Sequence, residues 1–215
     1  MPLPMKPYNP PSTPRLEVIH ADEALLMVHK PAGLLSVPGR TEPDCLEARA
    51  REKFPEALTV HRLDMATSGV MVMARTKEAL AHLGKQFERR QTTKRYIAVV
   101  EGSPSAERGT VDAPMRCDWP NRPLQMICED HGRPAVTHWE VLERGAGQTR
   151  LALTPVTGRS HQLRVHLASI GHPIMGDEWY GDESTAPRLL LHAERLGFRH
   201  PIGGAPMSFE VPAPF

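Results

Sequence analysis

The sequence predicts an α+β protein built on a largely antiparallel, mixed β-sheet with flanking helices and loops. Segments with strand character outnumber helical ones, and the two kinds do not alternate in the regular order of a parallel βαβ fold. A chain of 215 residues, of which 40% are hydrophobic, is long enough to bury a sizeable core. We therefore expect a single folded domain over residues 15–215.

Residues 1–14 predict an extended, flexible arm in front of that domain. Proline cannot donate a backbone hydrogen bond and disfavours helix. The segment contains six prolines: Pro2, Pro4, Pro7, Pro10, Pro11 and Pro14.

The strands are predicted from apolar runs and from alternation of apolar with polar residues. The first run, residues 25–28, is closed by a turn signal that ends at Gly33. The further strand predictions, in chain order, are a strand edge at 59–64, a buried strand at 69–74, strands at 96–100 and around 151–153, a strand-like stretch at 189–191 and an alternating strand at 207–211.

Three helices are predicted. Residues 44–54 have helical character, and residues 160–170 predict a short helix that ends before Gly171. Residues 77–90 give the strongest signal, because apolar side chains recur there at helical spacing and Thr76 stands where an N-cap belongs.

Composition excludes several classes of function. No apolar run approaches the roughly 18 residues of a membrane span, and the N-terminal residues lack the basic and apolar pattern of a secretory signal, so neither is expected. The three cysteines are an odd number without paired spacing, which indicates a reducing compartment, so the cytoplasm is expected. A net charge of +1 means that any RNA-binding surface must be local. We also expect no nucleotide cofactor, since no phosphate-binding glycine motif occurs.

Two polar segments are candidates for chemistry. Residues 61–69 place Asp64 at a junction between strand and loop, although a loop aspartate commonly just caps a turn. Residues 157–166 place His161 and Arg164 three positions apart, although such a segment can also be a solvated basic helix face. No metal is expected, because His161 and His166 are five apart and do not share a helical face.

These residues resemble the RluA-type pseudouridine synthases. His61-Arg62-Leu63-Asp64 followed by Thr67-Ser68-Gly69 is similar to that family's signature loop. Three further segments follow in the family's order: Lys30-Pro31-Ala32-Gly33-Leu34, Lys94-Arg95-Tyr96-Ile97-Ala98, and Thr157-Gly158-Arg159-Ser160-His161-Gln162-Leu163-Arg164-Val165-His166. The resemblance implies the pseudouridine synthase fold, with a central RNA-binding catalytic cleft. Because the pattern starts just after the arm, we expect no S4-type RNA-binding domain.

The resemblance also implies roles for individual residues. Asp64 is the catalytic carboxylate, Arg164 pairs with it, and Tyr96 stacks on the flipped uracil and takes part in removing the C5 proton. Arg62 is expected to insert into the RNA and His61 to shape the loop. The predicted RNA-binding residues are His61, Arg62, Arg122 and Arg159.

Cys117-Asp118-Trp119-Pro120-Asn121-Arg122-Pro123 is similar to the compact, dual-specificity members of the family. This implies structured RNA as the partner, namely large-subunit (23S) ribosomal RNA and a tRNA anticodon stem-loop. We also expect a monomer, and no cofactor, since the reaction consumes no electrons, phosphate or water. Two alternatives stay open: a non-catalytic RNA-binding module of the same fold, and a carboxylate glycosidase. The glycosidase would usually need two acidic residues about 5 to 10 Å apart, whereas the loop supplies only Asp64.

Overall fold

The computed structural model describes residues 7–215, and the first six residues, with Pro2 and Pro4 of the predicted arm, lie outside the described residues. Contacts divide the chain into two compact units. One, the Asp64 unit, comprises Tyr8–Lys94 and His192–Pro214. The other, the Arg164 unit, comprises Arg95–Leu191 with the terminal Phe215. The units interleave along the chain, and the prediction of a single domain over residues 15–215 stays a prediction.

The secondary structure comprises strands, three α-helices and two short 3-10 turns. The helices are α1 (Leu46–Lys53), α2 (Lys77–Glu88) and α3 (Gln162–Ser169). The strands are β1 (Glu17–Ala21), β2 (Leu25–Lys30), β3 (Leu58–Thr59), β4 (Ser68–Ala74), β5 (Thr93–Glu101), β6 (Arg108–Asp112), β7 (Met115–Cys117), β8 (Gln125–Ile127), β9 (Val136–Gly145), β10 (Gln148–Pro155), β11 (Leu191–Arg199) and β12 (Pro206–Glu210).

In the Asp64 unit the strand order is β1-β2-β4-β11, with β3 beside β4 and β12 beside β11. The pair β4 and β11 is parallel, and the other pairs are antiparallel. In the Arg164 unit β5, β10, β9 and β6 pair antiparallel in that order, and β7 and β8 form a separate hairpin. The predicted class, an α+β fold on a mixed and mostly antiparallel sheet, is confirmed.

The core of the Asp64 unit lies where α2 packs on β2 and β4. Leu25, Val72 and Leu83 are fully buried there, and burial of such a side chain stabilises the fold by roughly 1.5–3 kcal/mol. Helix α2 begins as predicted, since the Thr76 hydroxyl accepts the Ala79 N–H at 3.1 Å.

Part of the predicted arm is attached to the Asp64 unit. The Tyr8 hydroxyl donates to the Asp44 carbonyl at 2.8 Å, and the buried Arg49 donates to the Pro11 carbonyl at 2.7 Å. No helix or strand occurs in the described residues of the arm, 7–14. The flexibility predicted for the arm stays a prediction.

Two strand predictions need correction. The strand edge predicted at 59–64 ends at Thr59, because the chain leaves the sheet there and the His61 side chain takes over as acceptor for the Val72 N–H. Of the stretch predicted at 189–191, only Leu191 belongs to a strand, and that strand continues to Arg199. Charged Glu194 and Arg195 interrupt its apolar pattern in the sequence, so the full strand was missed.

Candidate active site

Asp64 lies in the loop between β3 and β4, half-buried, at the position predicted for the catalytic carboxylate. The turn is closed by backbone, since the Thr67 N–H donates to the Asp64 carbonyl at 3.1 Å. Among the described residues of its own unit, none hydrogen-bonds or ion-pairs with the Asp64 carboxylate. The geometry therefore does not match the alternative in which this side chain caps a turn.

Two buried side chains fix the backbone on either side of Asp64. Lys30 is 0% exposed, and its ammonium donates to the carbonyls of Pro31, Leu34 and Met65 at 3.0, 2.6 and 2.9 Å. Three carbonyls match the three N–H donors of an ammonium group. The Ser36 hydroxyl donates to the carbonyl of Leu63, at 2.7 Å.

The same hydroxyl also accepts the Leu63 N–H at 3.1 Å, so both backbone polar groups of the residue before Asp64 are engaged. After Asp64, the Met65 carbonyl accepts the Gly33 N–H at 2.8 Å as well as the Lys30 ammonium. The Lys30 to Leu34 segment, which the sequence marked without a role, therefore holds the loop in place.

The end of the signature loop is fixed by contacts with β11. The Ser68 hydroxyl bonds to His192 Nδ1 at 2.8 Å, and His192 Nε2 donates to the Val211 carbonyl at 2.8 Å. Gly69 has φ +129°, and a Cβ there would lie 2.3 Å from the Ala193 carbonyl oxygen. Only glycine allows this close parallel pairing.

His61 is part of the loop's support. Its Nε2 accepts the Val72 N–H at 3.1 Å, and its ring stacks on Phe87 with centroids 4.5 Å apart. Burial, and secondarily the positive charge of Lys94, lower the pKa of His61 to about 3. The imidazole is therefore neutral at neutral pH, which suits the predicted loop-shaping role. The neighbouring Arg62 is exposed.

Arg164, on α3, forms a buried ion pair with Asp177. Its Nε and Nη2 donate to the two carboxylate oxygens at 2.7 and 2.6 Å, and the side chains are 2% and 0% exposed. Asp177 also accepts the N–H groups of Trp179 and Tyr180. The alternative of a solvated basic helix face is therefore wrong for Arg164. Its predicted pairing with Asp64 stays a prediction.

Aromatic rings complete the surroundings of Arg164. The guanidinium carbon lies 4.8 Å from the Trp179 ring centroid and 5.1 Å from that of Tyr180. The Tyr180 hydroxyl bonds to His161 Nδ1 at 2.8 Å and accepts the Gln125 N–H at 2.8 Å. Tyr180 thus contacts Arg164 of α3, His161 just before α3, and strand β8.

Gln162 anchors the start of α3. Its Oε1 accepts from the Thr157 hydroxyl and the Arg159 N–H, and its Nε2 donates to the Val136 carbonyl and the Thr137 hydroxyl, at 2.7 to 3.0 Å. His161, just before it, adopts a left-handed backbone with φ 54°. The predicted segment 157–166 is therefore a helix start tied to β9.

His166 has partners of its own. Its Nδ1 bonds to the Thr137 hydroxyl at 2.9 Å and its Nε2 donates to the Ala113 carbonyl at 3.0 Å. Burial lowers the pKa of His166. Within residues 7–215, no three His, Cys, Asp or Glu side chains are grouped so that they could hold a metal ion.

Strand register places Tyr96 on the same face of the sheet as α3. Tyr96 pairs with Leu153, which pairs with Trp139 on the next strand. Directly opposed residues share a face, and so do residues two apart on one strand. Thr137 therefore belongs to this face, and side chains of α3 bond to its hydroxyl. Tyr96 is half-buried there, on the sheet face that α3 contacts through Gln162 and His166.

The two other predicted RNA-binding residues lie in the same unit. Arg122 is exposed, and its guanidinium carbon stands 4.5 Å from the centre of the Trp119 ring. Arg159 is half-buried, and its Nε donates to the Pro134 carbonyl at 3.3 Å.

Sequence reasoning missed the residues that hold the candidate catalytic groups. Lys30 gave a local signal, because a charged residue closes an apolar run before Pro-Ala-Gly. Nothing around Asp177 in the sequence indicates an arginine partner 13 positions away. Tyr180 gave no local signal.

Comparison with known proteins relates this arrangement to a family. The model of the family described as RNA pseudouridylate synthase matches residues 24–169. The chain is 51% identical over 217 residues to the "Dual-specificity RNA pseudouridine synthase RluA" of Escherichia coli (strain K12), covering 98% of this chain and 99% of that protein. It is 46% identical to the Pasteurella multocida protein of the same name, covering 97% and 98%.

Solved structures give the same relationship. "Human RNA Pseudouridylate Synthase Domain Containing 1" superposes with a TM-score of 0.81 at 30% identity, covering 96% of this chain and 87% of that one. "Human RNA Pseudouridylate Synthase Domain Containing 4" gives 0.73 at 26% identity, covering 92% and 88%. In the described residues no helix is long and apolar enough to cross a membrane. The resemblance stated from the motifs is confirmed, and the chain belongs to the RNA pseudouridylate synthases, a family of isomerases.

Proposed function

We propose that this protein converts specific uridines of structured RNA to pseudouridine, using Asp64 as its catalytic carboxylate. The observation that carries the assignment is the Asp64 loop, in which Lys30 and Ser36 fix the backbone on both sides of a half-buried carboxylate. Such a loop fixes the position of the reactive group while leaving its oxygens for substrate.

The reaction breaks the bond between ribose C1′ and uracil N1, turns the base, and joins C1′ to C5. The C5 proton is lost and N1 gains one, so no redox or phosphoryl cofactor is consumed. Asp64 attacks C1′ or the uracil ring, or abstracts a ribose proton to give a glycal. Tyr96 stacks on the base and takes part in removing the C5 proton.

We assign Arg164 to keeping Asp64 ionised and oriented, because a guanidinium close to a carboxylate favours its charged form. The ion pair with Asp177 supports this role, since it holds the guanidinium in one orientation. We assign RNA contacts to Arg62, Arg122, Arg159 and His61, with Arg62 entering the helix as the target base leaves the stack.

The substrates that we propose are a site in 23S ribosomal RNA and a tRNA anticodon stem-loop. Support comes from the relatives named dual-specificity enzymes, which match almost the full length of this chain. We also propose that the enzyme is a monomer and that it is cytoplasmic, the latter in keeping with its three free cysteines. Sedimentation of the purified protein tests the monomer.

The decisive test measures turnover on two short RNAs, an isolated anticodon stem-loop and a ribosomal hairpin. Each is compared with a version whose loop is closed into duplex. We expect pseudouridine in both open hairpins, because RNA loops are recognised through their shape and unstacked bases. If both are inert while full-length tRNA or ribosomal subunits react, recognition by the loop alone is wrong. Release of free base would indicate a glycosidase, and binding without either product would indicate a non-catalytic module.

A further inference from the structure

The tip of the hairpin formed by β7 and β8 carries an unusual exposed aromatic side chain. Trp119 is 66% exposed, more than any other large hydrophobic residue of the described chain. The Arg122 guanidinium carbon stands over the ring at 4.5 Å and covers one face. With so much of the side chain accessible, the opposite face is open to solvent.

Hydrogen bonds within the tip fix the loop that carries this ring before any partner binds. The Asn121 side chain donates to the Asp118 carboxylate at 2.8 Å, and the Asn121 N–H donates to the Asp118 carbonyl at 3.0 Å. Leu124 closes the loop, since its carbonyl accepts the Asp118 N–H at 2.9 Å. A preformed platform loses little conformational entropy when it binds.

The hairpin is tied to Arg164 through one side chain. The Gln125 N–H of β8 donates to the Tyr180 hydroxyl, whose ring lies against the Arg164 guanidinium. Trp119 therefore lies on a hairpin whose position is linked, through Tyr180, to Arg164, a proposed active-site residue.

We propose that an unpaired base of the RNA substrate stacks on the open face of Trp119, which makes this residue a determinant of substrate specificity. The inference rests on the proposed function and deepens it. An open indole face suits a flat base, and the exposed guanidinium groups of Arg122 and Arg116 on the same hairpin suit the adjoining phosphates. The hairpin also carries the Asp118 carboxylate, but that group accepts the side-chain amide of Asn121. The open indole face and the two exposed guanidinium groups therefore remain accessible to RNA.

The first measurement is the affinity and KM for the anticodon stem-loop. Base stacking on an aromatic ring accounts for about 5- to 150-fold in affinity, so Trp119→Ala should weaken binding and raise KM by that factor with little change in kcat. Trp119→Phe keeps a ring face and should recover most of the loss. Ile202→Ala removes another exposed apolar side chain and is the matched control, with wild-type KM expected.

The second measurement replaces the loop nucleotides by abasic ones, one position at a time. When the abasic position is the stacked one, wild type should bind the abasic RNA more weakly than the intact RNA. Trp119→Ala should bind the two RNAs with equal affinity. This loss of additivity assigns the contact to one base. Equal losses at every position, or Trp119→Ala within twofold of wild-type affinity, would overturn the proposal. If pseudouridine forms, the proposed function stands, whether or not RNA binding depends on Trp119. If RNA binding depends on Trp119 but no pseudouridine forms, the proposed function fails and the stacking contact stands.

Discussion

The Asp64 loop and the surroundings of Arg164 hold their functional side chains in opposite ways. Around Asp64, the buried side chains of Lys30 and Ser36 form hydrogen bonds with backbone groups of the neighbouring residues. Around Arg164, the guanidinium itself is bound by the Asp177 carboxylate and enclosed by aromatic rings.

This difference predicts different sensitivity to mutation. A side chain whose backbone is fixed by others can change without loss of the fold, so replacement should affect activity alone. A side chain that is itself half of a buried ion pair cannot be replaced without loss of stability, because its removal leaves the partner's charge buried and unpaired.

The largest effect is expected for Asp64→Asn. The amide nearly preserves the shape of the side chain but removes the ionisable carboxylate, so turnover should fall at least about 10⁴-fold. RNA affinity should be largely kept, and the free energy of unfolding should change by less than about 0.5 kcal/mol. Pseudouridine assays measure the turnover, and urea unfolding measures the free energy of unfolding. Substantial remaining turnover would remove Asp64 from the catalytic role.

Asp177→Asn should instead destabilise the protein. Breaking a buried ion pair costs about 3–5 kcal/mol, and adding Arg164→Met should recover part of that loss. Urea unfolding measures both. Glu107→Gln, which breaks the exposed pair with Arg144, is the control and should cost about 0–1 kcal/mol. Equal effects at the two ion pairs would erase the contrast between the regions.

Tyr96→Phe tests chemistry without a change of packing. The ring is retained and the hydroxyl is lost, so we expect about a hundred-fold slower product formation with RNA binding nearly unchanged. Single-turnover assays separate the two quantities. Wild-type rates in this variant would reduce Tyr96 to a packing and stacking residue.

The smallest effect concerns His61 and pH. Its pKa is lowered to about 3 in the folded protein, below the ordinary 6.5, so the unfolded chain binds the proton first as pH falls. Stability from the neutral imidazole is therefore complete above pH 6.5 and is lost as pH falls toward 3. The slope is at most about 1.4 kcal/mol per pH unit, reduced where water reaches the partly accessible ring.

His61→Gln should remove that slope between pH 6 and about 3.5 while leaving the remaining pH dependence unchanged. Unfolding free energies of the two proteins, measured in parallel at several pH values, give the difference. Parallel curves for the variant and wild type would show that His61 titrates alike in the folded and unfolded states.

Sequence patterns alone predict the fold class, the three helices and the loop that carries Asp64. Helix α2 is the plainest case, because its apolar spacing and the Thr76 cap act between residues three or four positions apart. Residues 61–69, which end in Gly69, were singled out as a polar segment between strands and through their resemblance to a family pattern. Their physical reason, the close pairing with Ala193, lies in another part of the chain.

The side chains that support the site could be identified only from the folded structure. Lys30 meets Met65 35 positions away, Arg164 meets Asp177 13 positions away, and Ser68 meets His192 124 positions away. Local propensity reflects interactions over a few residues, whereas these contacts exist only once sheet register and packing bring distant segments together. The same reason explains why β3 ended early, since the acceptor for Val72 proved to be an imidazole and not a strand.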